Sequence, residues 1–181
     1  MRTSQVPVIV VGVMLSFCLS SAAQSAPAQT RKPKTSPQWK FEEFTDEMDG
    51  KKTQSLSQRS SRITSVSLYK PELQIICNSK DLKPLIVVAG TGPVEVDDDW
   101  TAIRYKFEEN VVHEAQWRWL STPASALMSM HGAEFLGQML AHKNLVFEFQ
   151  SLRSGAQVAE FDLSDLPNAA KKLAFCSMAE N

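Results

Sequence analysis

Histidine, cysteine, glycine motifs and long apolar runs are all scarce in this 181-residue chain, and each scarcity removes a class of function. Of the three histidines, His131 and His142 fall on one predicted helix. At 1.5 Å rise per residue they stand about 16 Å apart, too far to share an ion. His113 sits near a turn, so the three read as unrelated surface residues and no metal or other cofactor is expected. Gly90-Thr91-Gly92 lacks the further glycine, lysine and helix start of a phosphate loop and reads as a turn. There is no Gly-x-Ser-x-Gly elbow, Ser121 has no assignable base, and neither Cys77 nor Cys176 carries the flanks of a catalytic thiol. The only acidic run, Asp97-Asp98-Asp99, lacks the alternation and central glycine of a calcium loop. It reads as a solvated turn, with weak divalent binding as the alternative. A formal net charge of −1 shows no basic excess for nucleic acid.

One apolar run is present, and it speaks to location. Arg2 starts the chain with a positive charge, residues 6–19 are apolar and uncharged, and Ser21-Ala22-Ala23 supplies small residues at a cleavage site. That layout predicts a secretory signal peptide over residues 1–23. A run of 14 residues is short of the roughly 20 that cross a bilayer. An uncleaved anchor is the alternative. Cys18 follows the large Phe17, which argues against a lipidated cysteine. No second apolar run of spanning length follows, so no stable membrane span is expected after cleavage. Cleavage removes one of the 19 basic residues, Arg2, and none of the 20 acidic ones, leaving a net charge of −2.

Residues 24–38 carry Pro27, Pro33 and Pro37 among Ser, Thr, Lys and Gln, and read as a disordered linker. Residues 39–181 then make one exported domain of ordinary size. Two cysteines survive cleavage. In an oxidising compartment Cys77 and Cys176 read as a disulfide, with two buried free thiols as the alternative.

Patterning predicts a β-rich fold. Residues 39–44 and 63–69 alternate weakly, with a turn at Lys70-Pro71-Glu72. Residues 45–62 are polar and read as a long loop. Leu73, Ile75 and Cys77 share a strand face, and residues 85–89 form a continuous apolar strand. Ile103, Tyr105 and Phe107 alternate with Arg104, Lys106 and Glu108; Glu109-Asn110 then turns the chain into a return strand with Ala115, Trp117 and Trp119 on one face. Residues 131–143 switch to helical spacing, with Ser129 as a candidate cap. Two more strands follow, around Phe147 and Phe161. A closing helix over residues 166–178, capped by Ser164 or Asp165, directs Cys176 inward toward Cys77. The expected class is mainly β with α: an antiparallel sandwich or partly open barrel of about seven or eight strands with two packed helices.

The order of these segments resembles the type VI secretion-associated accessory proteins of the VasI type, and the broader group of small exported bacterial proteins sharing that domain. The resemblance runs over residues 39–176. It rests on the Leu73-Gln74-Ile75-Ile76-Cys77 strand, the Ile103-Arg104-Tyr105-Lys106-Phe107-Glu108 strand, the Phe161-Asp162-Leu163-Ser164 junction and Cys176. It implies a periplasmic or secreted domain with one disulfide, accessory to an envelope or secretion machine, and it brings no catalytic residues. The residues therefore point to a non-enzymatic domain that binds a protein or envelope component, with Arg104, Lys106 and Trp119 as candidate surface contacts. Two alternatives stay open. One is a cell-wall or glycan hydrolase in which Glu108, Glu114 and Asp162 converge in a concave site; the other is a periplasmic inhibitor of an enzyme or toxin.

Overall fold

Alternation builds the middle of the molecule. Along β6 (Trp100–Phe107), Ile103 and Phe107 are buried and Arg104 is exposed; β7 (His113–Leu120) returns antiparallel beside it with Trp117 buried. β9 (Asn144–Ser151) turns Leu145, Phe147 and Phe149 inward, and β10 (Gly155–Asp162) does the same with Ala159 and Phe161. Each large apolar side chain so buried contributes about 1.5–3 kcal/mol. β4 (Glu72–Asn78) buries Leu73, Ile75 and Cys77. β5 (Leu85–Ala89) buries the successive residues Ile86, Val87 and Val88, as a strand covered on both faces should. These residues come from a computed structural model that describes residues 38–64, 70–108, 111–122 and 125–176. The described residues fall within one compact unit, Thr35–Asn181. The expected leader, nearly all of the linker, the Glu109-Asn110 turn and residues 65–69 lie outside them.

The mainly antiparallel β class with two helices is present, but the sandwich is not. The described residues form ten strands, not seven or eight, all in one sheet in the order β1-β2-β4-β5-β8-β7-β6-β9-β10-β3, which includes β1 (Lys40–Thr45), β2 (Lys52–Arg59), β3 (Arg62–Ile63) and β8 (Ala126–Met128). The β3 end of this sheet is joined through Ser60-Ser61 to β2, the second strand from the other end. There the Ser60 N–H donates to the Pro71 carbonyl (2.9 Å), on the side of β4, and the Ser61 N–H donates to the Glu160 carbonyl (2.8 Å), on the side of β10. Successive amides of an extended chain point to opposite sides, so Ser60-Ser61 bonds to the chain beside β4 on one side and to β10 on the other. Gln58 spans the same junction, its Nε2 donating to the Asp162 carbonyl at 2.8 Å.

Three local expectations need correction. The polar stretch 45–62 is a strand over most of its second half, β2, paired with β1 on one side and β4 on the other. Its polar side chains find partners far away in sequence, which periodicity does not register. Lys70-Pro71-Glu72 does not turn a hairpin into β4: Glu72 pairs with Arg59 and with Ala89. The closing helix is only α2 (Leu166–Ala170). It tightens through Leu173 N–H to Ala170 O, and the Ala174 N–H then leaves the helix path for the Gln54 side-chain oxygen at 2.8 Å. Cys176 therefore lies beyond the helix. It is still joined to Cys77, with the two Cα atoms 5.3 Å apart and a sequence separation of 99.

The longer helix α1 (Gly132–Ala141) buries Phe135, Leu136 and Met139. Its start is fixed by contact: a side chain on Gly132 would overlap the Pro84 carbonyl oxygen. No side chain caps α1 or α2 at the N-terminus. Ser129 instead accepts the His131 N–H at 3.2 Å, and Asp165 accepts from the Asn168 side chain at 3.1 Å.

Candidate functional site

The first turn of α1 stands between two adjoining hollows. The inner one, about 90 Å³, is walled by Tyr105, Trp117 and Phe135 and edged by Glu134 and Gln138. The outer one, about 500 Å³, runs past Asp81, Lys83, Pro84 and Gly132. Ser129, Met130, His131 and Glu134 line both, so the two lie side by side and make up a cleft divided by that turn. The wall is anchored from beneath, because the Ser129 N–H donates to the Ile86 carbonyl at 2.9 Å. Met130 stands on the rim, 53% exposed.

The inner wall is aromatic and rigid. The Phe135 ring meets Tyr105 and Trp117 edge-on, with centroids 5.0 Å and 5.2 Å away. Such contacts exceed plain area burial by about 0.5–1.5 kcal/mol each. Two histidines read as isolated in sequence flank this cluster: His113 stacks on Tyr105 (5.1 Å) and His142 on Phe107 (5.0 Å). His131 sits at the N-terminal end of α1 and His142 just past its C-terminal end. Burial, and then the Glu134 carboxylate, hold the Tyr105 phenol above its usual pKa. The phenol therefore stays protonated at neutral pH. Glu134 makes no ion pair within 4 Å among the described residues, and Gln138 Oε1 is out of solvent contact with no hydrogen-bond donor.

The predicted contact residues do not form one surface. Arg104 lies on the outward face of β6, held by Glu148 at 3.1 Å and Glu114 at 3.8 Å. Lys106 is on that same face by the two-residue period. Trp119 instead packs against the core, its indole N–H buried without an acceptor. Around Arg104 the outer face has a hollow of about 460 Å³ over Ala102, with Glu114, Glu148 and Gln150 at its edge.

Of the three carboxylates of the hydrolase alternative, Glu108, just past β6, and Asp162, at the end of β10, lie on either side of the start of β9 at Asn144. Glu108 accepts the Lys143 N–H at 2.6 Å, Glu114 pairs with Arg104, and Asp162 accepts the Ser164 N–H at 3.0 Å. None of the three hollows described here is lined by more than one of them. Asp98 and Asp99 form a two-residue turn, φ 46° and 68°, closed by mutual backbone bonds of Asp97 and Trp100. Gly90 and Gly92 take the positive φ that their turn requires. Among the described residues no three His, Cys, Asp or Glu side chains are grouped to hold a metal, and no helix is long and apolar enough to cross a membrane.

Glu134, Gln138 and Met130 carry no motif and escape sequence reasoning. Their one signal is spacing: 131, 134 and 138 recur at helical period beside the apolar stripe of α1. Comparison of the chain with protein-family models, curated proteins and solved structures finds no match in any of the three.

Proposed function

We propose that this chain is an exported, non-catalytic binding domain that receives a protein at the cleft beside α1, as an accessory of a bacterial envelope or type VI secretion machine. The carrying observation is the cleft itself: a preformed hollow with an aromatic wall, the Glu134 carboxylate of the first turn of α1 and an exposed methionine on its rim. Concave, mainly apolar sites with a few polar groups are the usual form of a binding site. Methionine suits contact with a partner because its side chain adapts in shape. The Cys77–Cys176 bond supports residence outside the reducing cytoplasm, in line with the leader-like residues 1–23. The resemblance to VasI-type proteins supports the accessory role. The hydrolase alternative rests on Glu108, Glu114 and Asp162, of which only Glu114 lines one of the hollows described above. A captured partner that is itself an enzyme or toxin would make the domain its inhibitor.

Two measurements test this. Intact mass of the exported protein should start near Gln24 and gain two hydrogens on reduction; a Met1 start on cytosolic material with free thiols removes the export reading. In pull-downs from periplasmic extract, Met130→Asp should abolish capture and Arg104→Glu on the outward face should keep it. The reverse pattern would move the contact surface to the β6 face.

A further inference from the structure

We propose that Cys176 is a thiol-exchange site: a dithiol–disulfide oxidoreductase makes and breaks the Cys77–Cys176 bond through a mixed disulfide on Cys176, with Cys77 as the enclosed second sulfur. This site is separate from the cleft beside α1 and does not depend on what the cleft binds.

The two cysteines sit in unlike surroundings. Cys77 has no exposed surface, lies on the inward face of β4, and is paired with Gln54 of β2 in the ladder. Uncovering it means parting β4 from its neighbour. Cys176 is only partly buried, and it lies past the end of α2, outside every strand and helix among the described residues. The segment that carries it is lightly held. Leu173 is buried, and the Ala174 N–H reaches the Gln54 side chain. The N–H groups of Lys172 and Leu173 bond only back to α2, at Ala169 and Ala170. A terminal segment with so few ties opens at a lower free energy than the sheet beneath it.

That difference selects the sulfur that reacts. A thiolate attacks one sulfur of a disulfide, and access decides which one. It must approach from the side away from the sulfur that leaves. Every approach to Cys77 is closed while β4 stays in the sheet. Cys176 is reached by an outward shift of residues 171–176 alone. In reduction the enzyme thiolate bonds to Cys176 Sγ, the Cys77–Cys176 bond breaks, and Cys77 leaves with the electron pair and takes a proton from water. The second thiolate of the enzyme then attacks its own partner sulfur in the mixed disulfide, and Cys176 leaves as the thiolate. Two electrons have passed from the enzyme dithiol to the chain. Oxidation runs the same steps backwards from an enzyme disulfide. Cys77 is then the resolving thiol, held by β4 where the two Cα atoms stand 5.3 Å apart, within bonding range.

Trapping tests the assignment on the intact, disulfide-bonded chain. It is mixed in native buffer with a dithiol oxidoreductase whose second cysteine is replaced by serine. Acid quenching stops exchange before Cys77 closes the bond again, and peptide mass spectrometry locates the mixed disulfide. It should lie on Cys176. A mixed disulfide on Cys77, or one that forms only in urea, overturns the proposal. Reduction kinetics with dithiothreitol give a second readout. Leu173→Ala, which loosens the segment, should speed reduction about tenfold or more. Phe147→Ala, which weakens the domain through β9, should leave the rate within about twofold if opening is local. Equal acceleration by both variants means that the bond opens only through global unfolding, and the exchange site falls.

Discussion

Strands β2 and β9 are each eight residues long, sit in the same curled sheet, and are held there by different physics. β9, Asn-Leu-Val-Phe-Glu-Phe-Gln-Ser, sends Leu145, Phe147 and Phe149 into the core. β2, Lys-Thr-Gln-Ser-Leu-Ser-Gln-Arg, buries Gln54, Leu56, Ser57 and Gln58. In β9 the removal of apolar surface from water holds the strand. In β2 the buried amides must be bonded or they cost free energy. Gln54 donates to Glu43 at 2.6 Å and accepts from Ala174 at 2.8 Å, while Gln58 donates to Asp162 O. Burial alone therefore does not say what stabilises a strand; a polar strand can be as deep in the sheet as an apolar one when distant segments complete its hydrogen bonds.

The contrast can be broken or sharpened by substitution. Phe147→Ala should have the largest effect, about 3–5 kcal/mol of lost stability, because the ring is fully buried against Trp117 at 4.9 Å. Urea unfolding measures it, and a loss under about 1 kcal/mol would mean that β9 is not held by packing. Replacing Cys77 and Cys176 by Ala should cost about 2–5 kcal/mol. Cys77 pairs directly with Gln54 in the ladder, so hydrogen exchange should speed first in β2 and β4 and last in β9.

Gln54→Ala should cost about 1–3 kcal/mol through the lost bonds to Ala174 and Glu43, the Ala174 N–H keeping only the Lys172 carbonyl at 3.1 Å. If Gln54→Leu proves as stable as wild type, the hydrogen bonds of β2 serve register more than stability. Arg104→Ala should cost under about 1 kcal/mol, since its pairs with Glu114 and Glu148 lie on the solvated face, and the difference should vanish in high salt.

Legibility followed the same division. The β6–β7 and β9–β10 pairs and the body of α1 were visible in the spacing of Ile103, Trp117, Phe147, Phe161 and Phe135, because period and burial coincide there. β2 was hidden because Gln54 and Gln58 look like loop residues until their partners 120 and 104 positions away are in place. The end of α2 was hidden for a related reason: the Ala174 amide that would continue the helix is taken by Gln54. At the candidate site, Tyr105 and Trp117 were legible as inward residues of their strands. Their meeting with Glu134 and Gln138 was not, since it depends on how α1 lies on the sheet.

Local order in the chain determined that β6 pairs with β7 and β9 with β10, which of their faces turn inward, and that Cys77 faces the interior. Each of these depends on the periods of strand and helix, which neighbouring residues set by themselves. The tertiary structure alone decided that Ser60-Ser61 bonds beside β4 on one side and to β10 on the other, that the polar strand β2 is buried next to it, and that α1 leaves a cleft. Those outcomes depend on hydrogen bonds and contacts between residues far apart in sequence, and no local period carries them.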